Sequence, residues 1–190
     1  MSEAPRIPPA ITGQKILQEG HWLRLKQLNC ATPAGYRYTW EMVERKQCAY
    51  IVVVVAVLNP SREYLLIRQF RPPVNRYVLG LPAGLANKPD IAFEALKELR
   101  EETGYTGTIL QISPPLAFTA ALSNEIMHIV TVSIDEHASE NKQPVQDLEP
   151  EEDIQVIRVP EAGIKEFLVN ADASGECIIS AALWYLFGAR

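Results

Sequence analysis

The alternation of hydrophobic and polar positions predicts several short β-strands along the chain. Residues 22–28 and 36–43 are both β-prone, and the turn signal Pro33-Ala34-Gly35 between them predicts a hairpin near the N-terminus. Residues 50–58 form an apolar run, which is typical of a strand buried on both faces. Further strands are predicted at residues 63–70, 77–81, 107–112, 127–135 and 154–159.

Helical patterns occur in three places. The first lies between Pro89, which suits a first helical turn, and Gly104, which suits the left-handed residue just beyond a helix end. The other two cover residues 160–170 and 178–187. Residues 1–11 contain three prolines and little periodicity, which predicts an irregular arm.

The length and composition of the chain indicate one α/β domain. A chain of 190 residues with 47% hydrophobic residues can bury one core, and we assign that core to residues 47–190. Residues 1–46 then form an N-terminal arm with the hairpin. Because an isolated hairpin is only marginally stable in water, we expect it to lie on the domain or on a second copy of the chain.

The net charge, the apolar runs and the cysteines indicate which binding partners and which cellular location to expect. The net charge of −5 argues against non-specific binding of nucleic acid, which needs a basic surface. The longest apolar run is too short to span a membrane, and no N-terminal stretch reads as a secretory signal. The three cysteines form neither a metal-ligand pattern nor an even disulfide set. We therefore expect a cytoplasmic protein with no membrane partner.

The first predicted helix concentrates carboxylates on one side. At about 100° per residue, four glutamates fall within about a third of a turn of one another: Glu94, Glu98, Glu101 and Glu102. The opposite side consists of Ala92, Leu96, Leu99 and Thr103. Like charges three and four positions apart destabilise a helix by roughly 0.2–0.5 kcal/mol per pair, so the cluster must be solvated, paired or bound to cations.

Two interpretations of this acidic side compete. It is either a solvated face whose charge is partly offset by Lys97 and Arg100, or a site for a hard cation such as Mg²⁺ or Mn²⁺. The loop before the helix favours the cation site. Gly84, preceded by Pro82 and Ala83, gives a turn in which a backbone carbonyl can approach a ligand without a side chain in the way.

The loop and helix together resemble the Nudix box, Gly-x5-Glu-x7-Arg-Glu-apolar-x-Glu-Glu-x-Gly-apolar. Beyond Gly84, the segment KELREETGY matches the second half of the box at Glu98, Leu99, Glu101, Glu102, Gly104 and Tyr105. Two positions depart from the pattern. Lys97 stands in place of Arg, which keeps the charge but loses the planar fork, and the first half is one residue short, with Asp90 nearest to the expected Glu.

The motifs GHWLRL, YTWEMVER, IRQFRPP and LPAGL are similar in order and spacing to the ADP-sugar pyrophosphatase group of the Nudix family. This resemblance implies a Nudix α/β/α sandwich with a mixed sheet. It also implies hydrolysis of ADP-ribose or a related ADP-sugar to AMP and a sugar phosphate. The reaction would depend on Mg²⁺, with Mn²⁺ as a possible substitute, and the enzyme would be a homodimer. Two alternatives stay open: a pyrophosphatase of another nucleotide sugar such as GDP-mannose, or a binding module whose activity has been lost.

The resemblance also assigns roles to individual residues. The metal ligands would be the Ala83 carbonyl, Glu98, Glu101, Glu102 and Glu152. Lys97 would orient a ligand glutamate. Glu152, in the acidic stretch DLEPEED, would be the general base, with Glu149 and Glu151 as alternatives.

Substrate contacts are assigned in the same way. Arg71 would bind the diphosphate, because the fixed fork of arginine suits phosphate. Trp22 and Trp40 would stack on adenine, one from each subunit, with Glu41 and Arg45 contributing from the same region. By sequence alone, without the resemblance, both indoles are more typical of packing residues than of a base-stacking clamp. A contact with ribose is a further hypothesis for Ser123, Asn124 and Glu125, and a plain turn is the alternative.

Overall fold

The structure, a computed structural model, describes residues 6–48, 50–86, 90–175 and 177–189, and the strands among them form two sheets. The N-terminal sheet consists of β1 (Ala10–Glu19), β2 (Leu23–Ala31) and β3 (Arg37–Arg45). The core sheet consists of β4 (Tyr50–Asn59), β5 (Glu63–Arg71), β6 (Arg76–Gly80), β7 (Ala83–Ala86), β8 (Thr108–Ile112), β9 (Leu116–Ala117), β10 (Ile126–Asp135), β11 (Ile154–Pro160) and β12 (Cys177–Ile179). The α-helices are α1 (Ile91–Thr103), α2 (Ile164–Ala173) and α3 (Ala181–Leu183).

The N-terminal sheet contains the predicted hairpin, β2 and β3, and one further strand. The hairpin turns at Gly35, whose φ of 86° is the left-handed conformation that glycine adopts without strain. The prediction of an irregular arm is wrong at its end, because β1 begins at Ala10 and pairs antiparallel with β2. Nearly every side chain of β1 is exposed, so no burial pattern marks it in the sequence.

The core sheet is mixed, as predicted for the Nudix sandwich. Its main order is β12-β6-β5-β4-β10-β8, and β10 runs parallel to the central strand β4. Three short or edge pairings complete it: β11 on β5, β7 on β4 and β9 on β10. β3 ends at Arg45 and β4 begins at Tyr50, on either side of the proposed domain boundary, which stays a prediction.

Two hydrophobic clusters lie on the two faces of this sheet, which explains the apolar run of β4. Val52 and Val54 pack on the face covered by α1, together with Ala95 and Leu99 of that helix. The alternate residues of β4, Val53 and Val55, pack on the other face with α2 and α3, through Ile164, Leu168 and Leu183. The sheet is thus covered on both sides, and α1 packs against its centre.

Helix α1 has defined ends. The Asp90 carboxylate accepts the Phe93 N–H at 3.0 Å, so this residue caps the helix N-terminus. Gly104, with φ 78°, ends the helix and donates its N–H to Arg100 O at 2.8 Å. Pro89, predicted in the first turn, lies outside the described residues.

The side of α1 that packs differs from the prediction. Ala95 and Leu99 are fully buried, whereas Ala92 and Leu96 are only partly buried. Glu94 and Glu102 are also buried, so the acidic side faces the domain rather than bulk solvent. The contact between α1 and the domain therefore extends beyond the apolar stripe.

The C-terminal segment departs further from the helical prediction. The helix predicted at residues 160–170 begins at Ile164, after a 3-10 turn at Glu161–Gly163. The helix predicted at residues 178–187 is wrong at its start, because Ile178 and Ile179 belong to β12, which pairs parallel with β6. Backbone pairing at the sheet edge has overridden the helical spacing. No helix among the described residues is long and apolar enough to cross a membrane.

Candidate active site

A cleft of about 500 Å³ lies between the acidic side of α1, the loop before it and the polar segment before β11. β5 contributes Gln69 and Arg71, and β7 contributes Ala83, Gly84 and Leu85. Helix α1 contributes Lys97, Glu98, Glu101 and Glu102. The polar segment contributes Asp147, Glu149 and Glu152, and Arg45 and Ile51 complete the lining. The fold thus brings into one cleft most of the residues that the sequence predicted for it.

Gly84 is required where β7 passes under α1. A Cβ added at this position would overlap the carboxyl group of Glu98. The Glu98 side chain therefore lies directly on the backbone of Gly84, and any other residue would displace it. This contact is the structural reason for a glycine at the start of the box.

Glu102 is the most deeply buried carboxylate in the cleft, with 3% of its surface exposed. Its Oε2 accepts the Ala83 N–H at 2.9 Å. Burial raises the pKa of Glu102 to about 8, and the Ala83 N–H opposes only part of that rise. Burial likewise raises the pKa of Glu98, and the neighbouring charges of Glu101 and Glu152 add to the effect.

These carboxylates have the chemistry of a divalent-cation site. Hard oxygen donors suit Mg²⁺ or Mn²⁺, and a cation among them would offset both burial and mutual repulsion. Among the described residues no three acidic, His or Cys side chains form a ready-made cage for one ion. The donors therefore fit an ion by type, but they are distributed along the cleft rather than gathered at one point.

Lys97 forms ion pairs with two glutamates of α1. Its Nζ lies 2.6 Å from Glu101 Oε2 and 3.7 Å from Glu98 Oε1. The hydrogen bond to Glu101 raises the pKa of Lys97. The orienting role predicted for Lys97 is thus matched by a contact with Glu101, and the role itself stays a prediction.

Arginines supply positive charge to the cleft. The exposed Arg71 lies close enough for its charge to oppose the rise in the pKa of Glu102. Arg45 is the last residue of β3 and lines the cleft, and its Nε donates to Glu125 Oε1 at 2.9 Å, just before β10. Asn124 and Glu125 line a separate cavity of about 40 Å³ beside Arg45. Their contact with ribose stays a prediction.

The three candidate bases in the polar segment before β11, Glu149, Glu151 and Glu152, differ in whether they line the cleft. Glu149 and Glu152 line the cleft, whereas Glu151 is exposed and lies outside its lining. The Glu149 N–H donates to Glu152 Oε2 at 3.0 Å, so the Glu152 carboxylate stabilises the turn that presents it. Glu152 also raises the pKa of both Glu98 and Glu102 by its charge.

The predicted base-stacking residues lie outside this cleft. Trp22 is 68% exposed and contacts the ring of His21 edge-on, and Trp40 is 47% exposed. Trp40 Nε1 donates to Ala121 O at 3.0 Å, so this indole fastens the N-terminal sheet to the loop before β10. Glu41 is exposed on β3, opposite Gln27. A single chain therefore does not bring these three residues to the carboxylates.

Sequence reasoning missed two polar residues of the cleft lining, Gln69 and Asp147. Gln69 precedes Arg71 by two positions on β5, and residues with this spacing share one face of a strand, so alternation within the QFRPP motif was a usable signal. Asp147 has no such signal, because its place in the cleft follows from the path of an irregular segment.

Comparisons with known proteins agree with this geometry. The NUDIX domain family matches residues 49–175. The ADP-sugar pyrophosphatase of Mus musculus is 33% identical over 175 residues, which cover 87% of this chain and 78% of the mouse protein. The ADP-ribose pyrophosphatase of Saccharomyces cerevisiae is 31% identical over 163 residues, which cover 81% of this chain and 71% of the yeast protein.

The crystal structure of an ADP compounds hydrolase shares the fold, with a TM-score of 0.68 at 20% identity over 90% of this chain and 88% of that one. The chain belongs to the NUDIX family. It is a Nudix hydrolase, and enzymes of this family generally need a divalent metal ion. The predicted family, fold class and enzyme class are confirmed.

Proposed function

We propose that this protein hydrolyses the diphosphate bond of ADP-ribose or a related ADP-sugar, releasing AMP and a sugar phosphate. The observation that carries the proposal is the placement of Arg71 in one cleft with the carboxylates of α1. The names of the mouse and yeast relatives support the substrate class. Mg²⁺ is the proposed ion, with Mn²⁺ as a substitute, because the donors are hard oxygens.

The groups that would hold divalent ions are the Ala83 carbonyl and the carboxylates of Glu98, Glu101, Glu102 and Glu152. When bound, divalent ions neutralise the charge of a diphosphate, which otherwise repels a nucleophile, and increase the acidity of water.

The remaining tasks fall to other groups of the cleft. Arg71 binds the diphosphate and fixes the reacting phosphorus over the acidic helix. Lys97 keeps Glu101 in place through its hydrogen bond. Glu152 accepts the proton of the attacking water, and its position in the cleft lining favours it over Glu151, which lies outside the lining.

A panel of nucleotide diphosphates tests this proposal. We expect ADP-ribose with Mg²⁺ to give AMP and ribose 5-phosphate in equal amounts, and a chelator to stop the reaction. Faster turnover of GDP-mannose would favour the other nucleotide-sugar pyrophosphatase. Binding of ADP-ribose without release of AMP, across several metals, would favour a nucleotide-binding module.

We further propose that the nucleotide end of the site is completed by a second copy of the chain. The N-terminal sheet exposes large apolar side chains that a partner would cover: Ile11, Ile16, Trp22, Leu23, Leu25 and Trp40. In a homodimer, Trp22 and Trp40 of different subunits would stack on adenine, with Glu41 and Arg45 beside them. Sedimentation tests the dimer, and a compact monomer with unchanged nucleotide affinity would contradict it.

A cytoplasmic location also stays a prediction.

Trp40→Ala should weaken nucleotide binding far more than it lowers stability. Loss of one stacking contact raises the KM for ADP-ribose by about tenfold or more, because base stacking contributes about 1–3 kcal/mol. Trp184→Ala is a matched control, since this indole is similarly exposed but lies in the C-terminal segment. Steady-state kinetics and thermal unfolding measure both effects. Equal changes in the two variants would identify Trp40 as a packing residue.

A further inference from the structure

The segment that carries Glu149 and Glu152 is tied to the end of the acidic helix by one side chain. We call residues 142–153 the acidic loop. The Gln146 amide, through Nε2, donates to Glu102 O at 2.6 Å and to Ile154 O at 3.1 Å. One amide group therefore joins the last turn of α1 to the first residue of β11.

The backbone of the acidic loop adds to this attachment. The Asp147 N–H donates to Glu101 O at 2.9 Å. The last carbonyls of a helix have no partner within it, so Gln146 and Asp147 satisfy two groups that would otherwise need water. A Cβ at Gly104 would lie 2.7 Å from Pro144 C, which shows how closely the loop passes over the helix end.

The side-chain amide of Asn141, the residue just before the acidic loop, forms a second set of hydrogen bonds farther from the cleft. Asn141 is 5% exposed, and its Nδ2 donates to Thr106 O at 3.0 Å and to Asp135 O at 2.9 Å. Its Oδ1 accepts the Thr106 N–H at 2.9 Å. These contacts fix the start of the loop to Thr106, two residues before β8, and to Asp135 at the end of β10, and neither partner lines the cleft.

We propose that Gln146 is a positioning residue that sets the distance between the carboxylates of α1 and those of the acidic loop. One of its acceptors is the carbonyl of Glu102, whose side chain lines the cleft, and the other lies two residues beyond Glu152. This inference rests on the proposed function, in which Glu152 accepts a proton from water. A displacement of about 1 Å in such a group can lower the rate by about a hundredfold.

Gln146→Met tests the proposal, because methionine keeps the length of the side chain and removes both donated hydrogen bonds. We expect kcat for ADP-ribose to fall by about thirtyfold or more, with KM changed by less than about threefold, since Arg71 is untouched. Asn141→Leu is the matched control. It should lower the melting temperature at least as much, with a far smaller effect on kcat.

A double-mutant cycle shows whether Gln146 acts through the proposed base. In a Glu152→Gln background, Gln146→Met should lower kcat by less than about threefold, because the group that it positions is already disabled. Full additivity in Glu152→Gln and in Glu149→Gln backgrounds would overturn the proposal. So would equal losses of kcat in Gln146→Met and Asn141→Leu.

Hydrogen exchange separates this proposal from the proposed function. Gln146→Met should speed amide exchange across residues 147–152 by about tenfold or more, because the attachment to α1 is lost. Unchanged exchange would overturn the positioning role whatever the activity. A wild-type protein that releases no AMP, but whose loop loosens in the variant, would contradict only the proposed function.

Discussion

Replacing Glu102 with glutamine is expected to lower kcat for ADP-ribose by about a thousandfold, the loss typical of one essential electrostatic group in an active site. The same change is expected to raise the stability of the metal-free protein at alkaline pH. The stability effect follows from the burial of this carboxylate, and the loss of activity follows from its proposed role as a metal ligand. Glutamine keeps an oxygen that can accept the Ala83 N–H, so the local structure is preserved.

The direction of the stability change follows from the raised pKa of Glu102. Between the unfolded value of 4.5 and the folded value of about 8, the folded protein retains a proton that the unfolded chain releases. The free energy of unfolding therefore falls as pH rises through this window, by about 1.4 kcal/mol for each unit of pKa difference. Glutamine does not titrate, so Glu102→Gln should remove the part of the slope that Glu102 contributes and leave the smaller part from Glu98, whose pKa is also raised by burial.

Thermal unfolding in chelator at pH 5 and at pH 8.5 measures this effect. The midpoint of Glu102→Gln should exceed that of the wild type at pH 8.5 and approach it at pH 5. Glu151→Gln is the control, because Glu151 is exposed outside the cleft. Unchanged turnover in Glu102→Gln would refute its role as a metal ligand, and a pH slope as steep as that of the wild type would refute the effect of its burial.

Gly84→Ala should abolish most activity with little loss of stability. Each of the three atoms nearest the new Cβ belongs to the Glu98 carboxyl group, which can swing away into the cleft at small cost. Gly84 does not have the left-handed φ that would strain alanine. Displacing one carboxylate from its place should lower kcat by about a hundredfold.

Gly163→Ala is the matched control for this glycine, because an added Cβ there meets nothing within 4 Å. It should leave both kcat and the melting temperature close to those of the wild type. The Mg²⁺ concentration needed for half-maximal activity should rise in Gly84→Ala alone. A fully active Gly84→Ala enzyme would show that the contact between Gly84 and Glu98 has no part in the reaction.

The central fold could be predicted from the sequence because burial leaves a strong pattern there. The apolar run of β4 and the turn at Gly35 are both visible in the residues themselves. β1 and β12 could not be predicted in this way, since β1 is almost wholly exposed and β12 has only three residues. Both depend on pairing with a neighbouring strand.

The candidate site shows the same division. The grouping of Glu98, Glu101 and Glu102 was predictable because the helical period places the three side chains on one side of α1. The inward direction of their side was not, because it depends on how α1 lies against the sheet. Gln146 was also beyond reach, since its role depends on contacts with Glu102 and Ile154 across an irregular segment. Spacing on one element can be read from sequence, but contacts between elements need the fold.

Binding of Mn²⁺, followed by the loss of the paramagnetic signal of the free ion in solution, tests most directly whether the acidic side of α1 holds metal. The wild type should remove Mn²⁺ from solution, and a Glu98→Gln/Glu102→Gln double variant that remains folded should remove much less. If the double variant binds as much Mn²⁺ as the wild type, these carboxylates are not the metal site.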